Sequence, residues 1–273
     1  MLRDGNTIDA VLDRKTLLER KRPGKTSREQ ILAANLDLLF VVSGLDHDYN
    51  PRRLERYLIL AKESGIRPVL VLNKTDLHEN PSDVVKEAEG LANGIEVVAL
   101  SAQTDNSIDQ LNDFVSPAET AALAGSSGVG KSTILNRLCG MQKQLTSEVR
   151  LHDSRGRHTT TSRELFMMPQ GWLLMDMPGI RELQFARGAD SIVDVFDDVT
   201  SAAAQCRFRD CSHQTEPGCA VQGNVPPERL AAFMNLQREG AHAKRQADQG
   251  AAILEKQRWK AIHKAMRNNP KGR

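Results

Sequence analysis

Short apolar runs alternate with amphipathic segments along most of this 273-residue chain. Runs typical of buried strands lie at residues 34–43, 68–72, 95–100 and 120–124. Apolar residues with helical spacing lie at residues 54–64, 83–92, 107–115 and 133–138. Two more strands, 163–168 and 172–175, are predicted to pair around a turn at Pro169. This alternation predicts an α/β fold, with a mostly parallel sheet and helices on both faces.

The last part of the chain has a different pattern. One long helix is predicted from Pro227 to about Met266, followed by a polar tail. Residues 238–273 contain ten Lys and Arg against three acidic residues, a charge of +7 that leaves −5 for the rest of the chain. A solvated cationic helix is the usual interpretation of such a run. Contact with RNA phosphates, with Trp259 stacking on a base, is the alternative.

The clearest local motif follows the strand at 120–124 and matches G-x-x-x-x-G-K-[ST] in full. Backbone N–H groups of such a loop point at phosphate oxygens, and the following helix adds positive potential. Lys131 is predicted to reach the β- and γ-phosphates and Ser132 to ligate Mg²⁺. The predicted phosphate-binding residues are Gly125, Ser126, Ser127, Gly128, Val129, Gly130, Lys131, Ser132 and Thr133.

A second motif predicts which base is bound. Asn73-Lys74-Thr75-Asp76 directly follows the strand at 68–72. Asp76 can accept hydrogen bonds from the N1–H and amino group of guanine, which adenine lacks, while Asn73 braces the loop and the Lys74 stem lies across the base. Alone, this tetrapeptide is more often a surface turn. Ser101-Ala102, at the end of the strand at 95–100, supports the guanine interpretation because GTPases offer a backbone N–H to the guanine oxygen there.

A third segment, Asp176-Met177-Pro178-Gly179, predicts a contact of Asp176 with the Mg²⁺ shell and of the Gly179 N–H with the γ-phosphate. Ile180 follows, and a hydrophobic side chain cannot orient water. We therefore assign the catalytic set to His158, Lys131 and Thr160. Which of Thr159, Thr160 and Thr161 closes over Mg²⁺ stays open, and an exposed His158 without a role is an equal alternative.

Three of the four cysteines lie close together in the chain, with a histidine between them. Cys206, Cys211, His213 and Cys219 provide three thiolates and one imidazole, a set that fits a closed tetrahedral site for one structural Zn²⁺. No signal peptide is predicted, so metal binding is favoured over disulfides. Cys139 is predicted to be an ordinary core residue.

In an ordinary GTPase the phosphate loop precedes the guanine motif, whereas here the order is reversed. This permuted order, the His158-Thr159-Thr160-Thr161 run and the Asp176-Met177-Pro178-Gly179-Ile180 segment resemble the bacterial ribosome small-subunit-dependent GTPase A (RsgA or YjeQ) family. The resemblance implies a GTPase that converts GTP to GDP, binds the small (30S) ribosomal subunit and its 16S rRNA, assists or checks its late maturation, and leaves on hydrolysis. It also supports the same four zinc ligands.

The resemblance divides the chain into three parts: a barrel remnant and linker at residues 1–30, a circularly permuted GTPase domain at 31–188, and a mainly helical zinc-binding domain at 189–273. Members of the family begin with an oligonucleotide-binding β-barrel, which needs five strands, so at most a remnant is expected here. We expect a cytoplasmic monomer that does not enter membranes. A non-catalytic RNA-binding assembly factor that keeps the nucleotide as a structural ligand is the alternative function.

Overall fold

The computed structural model describes residues 2–3, 7–8, 10–21, 29–104, 107–140, 164–177, 185 and 190–267. Its strands are Leu2–Arg3 (β1), Thr7–Ile8 (β2), Leu17–Lys21 (β3), Glu29–Ala34 (β4), Leu38–Gly44 (β5), Arg67–Asn73 (β6), Val97–Ala99 (β7), Thr120–Ala124 (β8), Glu164–Met167 (β9) and Leu173–Asp176 (β10). Its α-helices are Pro51–Glu63 (α1), Pro81–Ala92 (α2), Lys131–Leu138 (α3), Ile192–Val195 (α4), Asp197–Ala203 (α5), Ala220–Asn224 (α6) and Pro227–Arg267 (α7).

Six strands form the central sheet in the order β7-β6-β5-β8-β10-β9. All neighbouring pairs are parallel except β9 with β10, which is antiparallel. All seven residues of β5 are buried, as expected for a central strand covered on both faces. The carboxyl ends of the parallel strands meet at one edge, where ligands bind in sheets of this kind. The predicted α/β fold is confirmed.

The predicted strand at 34–43 is wrong at its start. Asn35 has φ of 57°, in the left-handed region, and it separates β4 from β5. Its side chain accepts a hydrogen bond from the Lys15 N–H and donates one to the Asp13 carbonyl. These contacts favour the turn because asparagine tolerates left-handed backbone better than most residues do. β4 instead pairs antiparallel with β3, and Lys21 and Glu29, which lie in the part predicted as a barrel remnant and linker, are partners in that pair.

Two other predictions need adjustment. The segment predicted as a helix at 107–115 is a 3-10 helix over Ser107–Phe114. The predicted barrel remnant corresponds to two separate two-stranded sheets, β1 with β2 and β3 with β4, within the described residues before β5. The β3–β4 pair spans the predicted domain boundary at residue 30, and Leu18 from β3 belongs to the same core as α1.

The C-terminal helices pack on α1 of the sheet domain. Glu55 of α1 is fully buried and accepts a 2.8 Å hydrogen bond from Nη1 of Arg229, in the first turn of α7. Arg229 also contacts both carboxylate oxygens of Asp198 at 3.0 Å and lies 4.0 Å from the ring centre of Phe196. Burial raises the pKa of Glu55, although Arg229 and Arg52 oppose that shift. The ion pair therefore fixes where the C-terminal helices meet the sheet domain.

Candidate nucleotide site and zinc site

The phosphate loop connects β8 to α3 at the carboxyl edge of the sheet. Gly130 has φ of 100°, and a Cβ built on it would lie 2.2 Å from Nδ2 of Asn73, so both backbone conformation and space require glycine. Lys131 Nζ donates hydrogen bonds to the carbonyls of Gly125 at 2.8 Å and Ser126 at 2.5 Å. The lysine thus lies folded over its own loop, a position from which it could turn to a phosphate.

Asn73 joins the two predicted nucleotide loops. Its buried side chain donates from Nδ2 to the carbonyl of Val129 at 2.8 Å and accepts at Oδ1 from the backbone N–H of Ala102 at 2.9 Å. The first contact reaches the phosphate loop and the second reaches the Ser101-Ala102 loop. One amide group therefore fixes both ends of the site relative to each other, and its contact with Val129 was not predicted from the sequence.

The remaining residues of the guanine motif lie at the same edge. Asp76 is exposed, and its carboxylate accepts a short hydrogen bond from the hydroxyl of buried Ser101. Lys74 has φ of 65° and ψ of 38°, and its Nζ lies 2.5 Å from Oδ2 of Asp46. Asp46 is a residue of this site that sequence reasoning missed. The signal for it was its position just after β5, the strand between the two motif-bearing strands β6 and β8.

The predicted Mg²⁺ ligands come from neighbouring strands. Ser132 is exposed at the first turn of α3, after β8, and half-buried Asp176 ends β10. Since β8 and β10 are parallel and adjacent, Asp176 lies at the same edge of the sheet as the phosphate loop that follows β8. A hydroxyl and a carboxylate are oxygen ligands of the kind that Mg²⁺ prefers. His158, Thr160 and Gly179 lie outside the described residues.

The predicted zinc ligands are brought together in the C-terminal module. The ligand atoms of Cys206, Cys211, His213 and Cys219 all lie within 4.8 Å of one another. The Nδ1 atom of His213 is 3.6 Å from Cys206 Sγ and 3.5 Å from Cys219 Sγ, and those two sulfurs are 4.0 Å apart. Zinc bond lengths require separations of about 3.5 Å from sulfur to nitrogen and about 3.8 Å between sulfurs. The three measured separations match those around a tetrahedrally coordinated Zn²⁺, and Cys211 lies within 4.8 Å as the fourth ligand.

The loop between the last two zinc ligands is held by Glu216. Its carboxylate accepts hydrogen bonds from the N–H groups of Ser212 at 2.8 Å, Gln214 at 3.0 Å and Thr215 at 3.1 Å. Hydrogen bonds from the Ser212 side chain and backbone lower the pKa of Glu216 to about 2, so it is ionised at neutral pH. This contact orders the segment that carries His213, and it was not predicted from the sequence.

The fold and the two loops define a circularly permuted phosphate-loop GTPase, because the guanine motif on β6 precedes the phosphate loop after β8 while one strand separates them in the sheet. A sequence model of the family described as RsgA GTPase matches residues 11–186. The chain belongs to the RsgA GTPase family.

Relatives and solved structures agree with this assignment. The small ribosomal subunit biogenesis GTPase RsgA of Opitutus terrae is 46% identical over 267 residues, which cover 95% of this chain and 72% of that protein. The protein of the same name from Methanosarcina acetivorans is 42% identical over 257 residues, covering 92% and 70%. The crystal structure of YjeQ from Thermotoga maritima is similar with a TM-score of 0.61 and 27% identity, over 85% of this chain and 77% of that one.

Two further similarities carry less weight. YloQ, described as a circularly permuted GTPase, has a TM-score of 0.57 at 24% identity over 85% of this chain and 74% of its own, and supports the fold alone. A model described as ABC transporter matches residues 108–266, a range that contains the phosphate loop. That range excludes β5, β6 and β7, half of the central sheet, so we attribute this match to the phosphate loop.

Proposed function

We propose that this protein hydrolyses GTP to GDP and phosphate at the edge of the sheet where the phosphate and guanine loops meet. The observation that carries the proposal is the Asn73 side chain, which joins the Val129 carbonyl to the Ala102 N–H. A base selected by one loop and a triphosphate bound by the other are then held at one fixed separation. Membership of a GTPase family supports the same reaction.

Guanine selection is proposed for Asp76 and the Ser101-Ala102 loop. The hydrogen bond from the Ser101 hydroxyl orients the Asp76 carboxylate and leaves its other oxygen for the base. Adenine would offer this carboxylate no donor at the corresponding positions, so its binding would leave the second oxygen of Asp76 without a donor from the base. The contacts of Asp76 and Asn73 therefore support GTP over ATP.

Phosphate binding and hydrolysis are proposed for the phosphate loop and its neighbours. Lys131 would exchange its contacts with the Gly125 and Ser126 carbonyls for the β- and γ-phosphates. Ser132 and Asp176 would hold Mg²⁺, which supplies positive charge to the phosphate oxygens. The roles of His158 and Thr160, and of the Gly179 N–H, stay predictions from the sequence.

The proposed partner is the small ribosomal subunit with its 16S rRNA, whose late maturation the protein would assist or check in the cytoplasm before leaving on hydrolysis. Relatives named for small ribosomal subunit biogenesis support this partner. In α7, Lys256, Lys260 and Trp259 are exposed, with Trp259 at 56%. We propose that this helix, together with a module ordered by one structural Zn²⁺, forms the RNA-contacting part of the chain, residues 189–273, and that the protein acts as a monomer.

Two observations bear on the alternatives. Among the described residues, no helix combines the length and the apolar character needed to span a bilayer. The relatives named above are GTPases by name, which gives no support to a non-catalytic RNA-binding factor.

Steady-state GTP turnover tests the function directly. We expect slow hydrolysis of GTP by the protein alone, faster turnover when purified small subunits are added, and no comparable ATP hydrolysis. Large subunits at the same concentration are the control, because they present similar phosphate charge without the proposed partner. Equal turnover with and without small subunits would contradict the proposed partner, and absence of GTP turnover in both would contradict the enzyme.

If α7 contacts RNA phosphates, the affinity for the small subunit should depend on salt concentration. Replacing both Lys256 and Lys260 with Ala is expected to weaken small-subunit binding and to lower the slope of log affinity against log salt by about 1–2, since about 0.7–0.9 counterions are released per phosphate contact. Lys86→Ala together with Lys62→Ala, on helices of the sheet domain, is the matched control. Binding that does not change with salt would exclude this helix as the RNA contact.

A further inference from the structure

The loop that follows β5 lies between the guanine loop and the phosphate loop, because β5 is the strand between β6 and β8. Its first contact with the guanine loop is a 2.8 Å hydrogen bond from the Leu45 N–H to the Asn73 carbonyl. Its second is the ion pair of Asp46 with Lys74. We propose that Asp46 is a positioning residue for guanine nucleotides, which fixes the Lys74 stem in the place where it covers the base. The proposal rests on the nucleotide site proposed above.

Lys74 needs such a partner because of its place in the chain. It lies between β6 and the 3-10 helix Thr75–Leu77, with φ of 65° and ψ of 38°. That left-handed backbone directs its side chain toward the β5 side of the loop, where Nζ lies 2.5 Å from Asp46 Oδ2. A long side chain has many rotamers in solution, and stacking on a base would require one of them. The ion pair selects that rotamer before the nucleotide arrives.

Asp46 is itself held in place from two sides. Its Oδ1 atom accepts a 3.0 Å hydrogen bond from the Asp48 N–H, while Oδ2 contacts Lys74. Gly44 leaves the space that this arrangement needs. A Cβ at residue 44 would lie 2.8 Å from Asp46 Oδ1 and 3.4 Å from Lys74 Cδ. Gly44 is also the β5 partner of Asn73, so the Asp46 loop and the guanine loop begin at the same level of the sheet.

The charge of Asp46 agrees with this role. Burial raises its pKa, but the hydrogen bonds from Lys74 and from the Asp48 N–H outweigh that effect, and the net pKa is lowered. The carboxylate is therefore ionised at neutral pH. Both members of the pair are about one-quarter exposed, so water screens part of their attraction, and the pair orients Lys74 rather than adding much stability.

Asp46→Ala is expected to weaken the binding of guanine nucleotides. The Kd for GDP and the KM for GTP should rise about three- to fivefold, the upper part of the effect expected for loss of a partly exposed ion pair, while kcat changes little because the phosphate end is untouched. Asp46→Asn, which keeps an acceptor for the Asp48 N–H but loses the charge, should show nearly the same rise. Glu79→Ala removes an exposed acid shortly after the guanine loop and should leave the Kd unchanged.

A double-mutant cycle with Lys74→Ala identifies the route of the effect. If Asp46 acts through Lys74, Asp46→Ala should not weaken GDP binding further in the Lys74→Ala background. Additive effects, or full affinity in Asp46→Asn, would overturn the proposal. Asp76→Asn tests the site itself, since an amide there can donate to the 2-oxo group of xanthine and should shift preference toward xanthosine diphosphate. If Asp76→Asn leaves base preference unchanged, the nucleotide site fails; if only the Asp46 cycle is additive, the positioning role alone fails.

Discussion

Asn73→Ala is expected to lower the affinity for GDP and GTP by about 10- to 100-fold. Truncation leaves the Val129 carbonyl and the Ala102 N–H without the partner that now joins them. A buried polar group left unpaired costs about 1–3 kcal/mol, so two of them cost about 2–6 kcal/mol, and each 1.4 kcal/mol is a tenfold change in affinity when the loss falls on the bound state. Isothermal titration with GDP measures the change.

Part of the free-energy cost of Asn73→Ala should also appear in the protein without nucleotide. We expect the free energy of unfolding in urea to fall by about 2–3 kcal/mol, because Asn73 is only 2% exposed and its partners cannot reach water easily. The rest of the free-energy cost should appear as weaker nucleotide binding, because the two loops no longer keep their separation. Asn73→Asp is a sharper test, since it keeps an acceptor for the Ala102 N–H but directs a carboxylate oxygen at the Val129 carbonyl.

A matched control is Asn224→Ala. Asn224 is exposed, and its Nδ2 donates to a carbonyl one turn earlier, that of Ala220. This change should alter stability by less than about 0.5 kcal/mol and leave GDP affinity as it was. If Asn73→Ala bound GDP as the unmodified protein does, the two loops would not depend on the asparagine and the site as described would be wrong.

The sequence was informative where the signal is local. Residues 120–124 were predicted as a strand and form β8 over the same residues, because a short apolar run before a glycine-rich loop has few other interpretations. The helix predicted from Pro227 to about Met266 extends over Pro227–Arg267. The zinc ligands lie within one short segment, so their spacing alone was enough to predict the cluster that the structure shows.

Sequence patterns did not predict the contacts that depend on a backbone atom or on a side chain distant in the chain. The acceptor of Asn73 is the carbonyl of Val129, and any residue at position 129 would offer the same atom. Asp46 meets Lys74 only because β5 and β6 are in register, which no pattern around either residue specifies. The break at Asn35 was missed for a related reason, since its partners, Lys15 and Asp13, come from an earlier segment.

Cys219→Ser is expected to remove zinc from the protein and to unfold the segment around it. The zinc content measured by metal analysis should fall from about one ion per chain to well below that value, because serine replaces a thiolate with a poor zinc ligand. Zinc binding contributes about 10–16 kcal/mol to folding in small zinc modules, far more than the few apolar contacts of this segment could replace. Removal of the metal by a chelator should have the same effect.

The structure predicts how far this unfolding spreads. Val221 and Val225, beside the cluster, are buried in the same core as Phe233 of α7 and the residues of α1, so amide hydrogens from 206–225 and the start of α7 should exchange faster. Amides of β5 and β6 should stay protected. GDP affinity should change less than about threefold, because the nucleotide loops lie at the carboxyl edge of the sheet. Among the described contacts, these loops share no residue with the contacts of the cysteines. Small-subunit binding should be lost.

Cys139→Ser is the matched control for this change. Cys139 follows α3 and packs against the core on the side of the sheet that contains Trp172, so its replacement should leave the zinc content at one per chain and the 206–225 amides protected. Loss of zinc from both variants would mean that the metal is not held by the cluster. Full zinc content in Cys219→Ser would contradict the prediction. So would unchanged hydrogen exchange after zinc is removed. Either result would show that the ion does not order this module and that the fold of the module depends on the contacts of α7 with α1 instead.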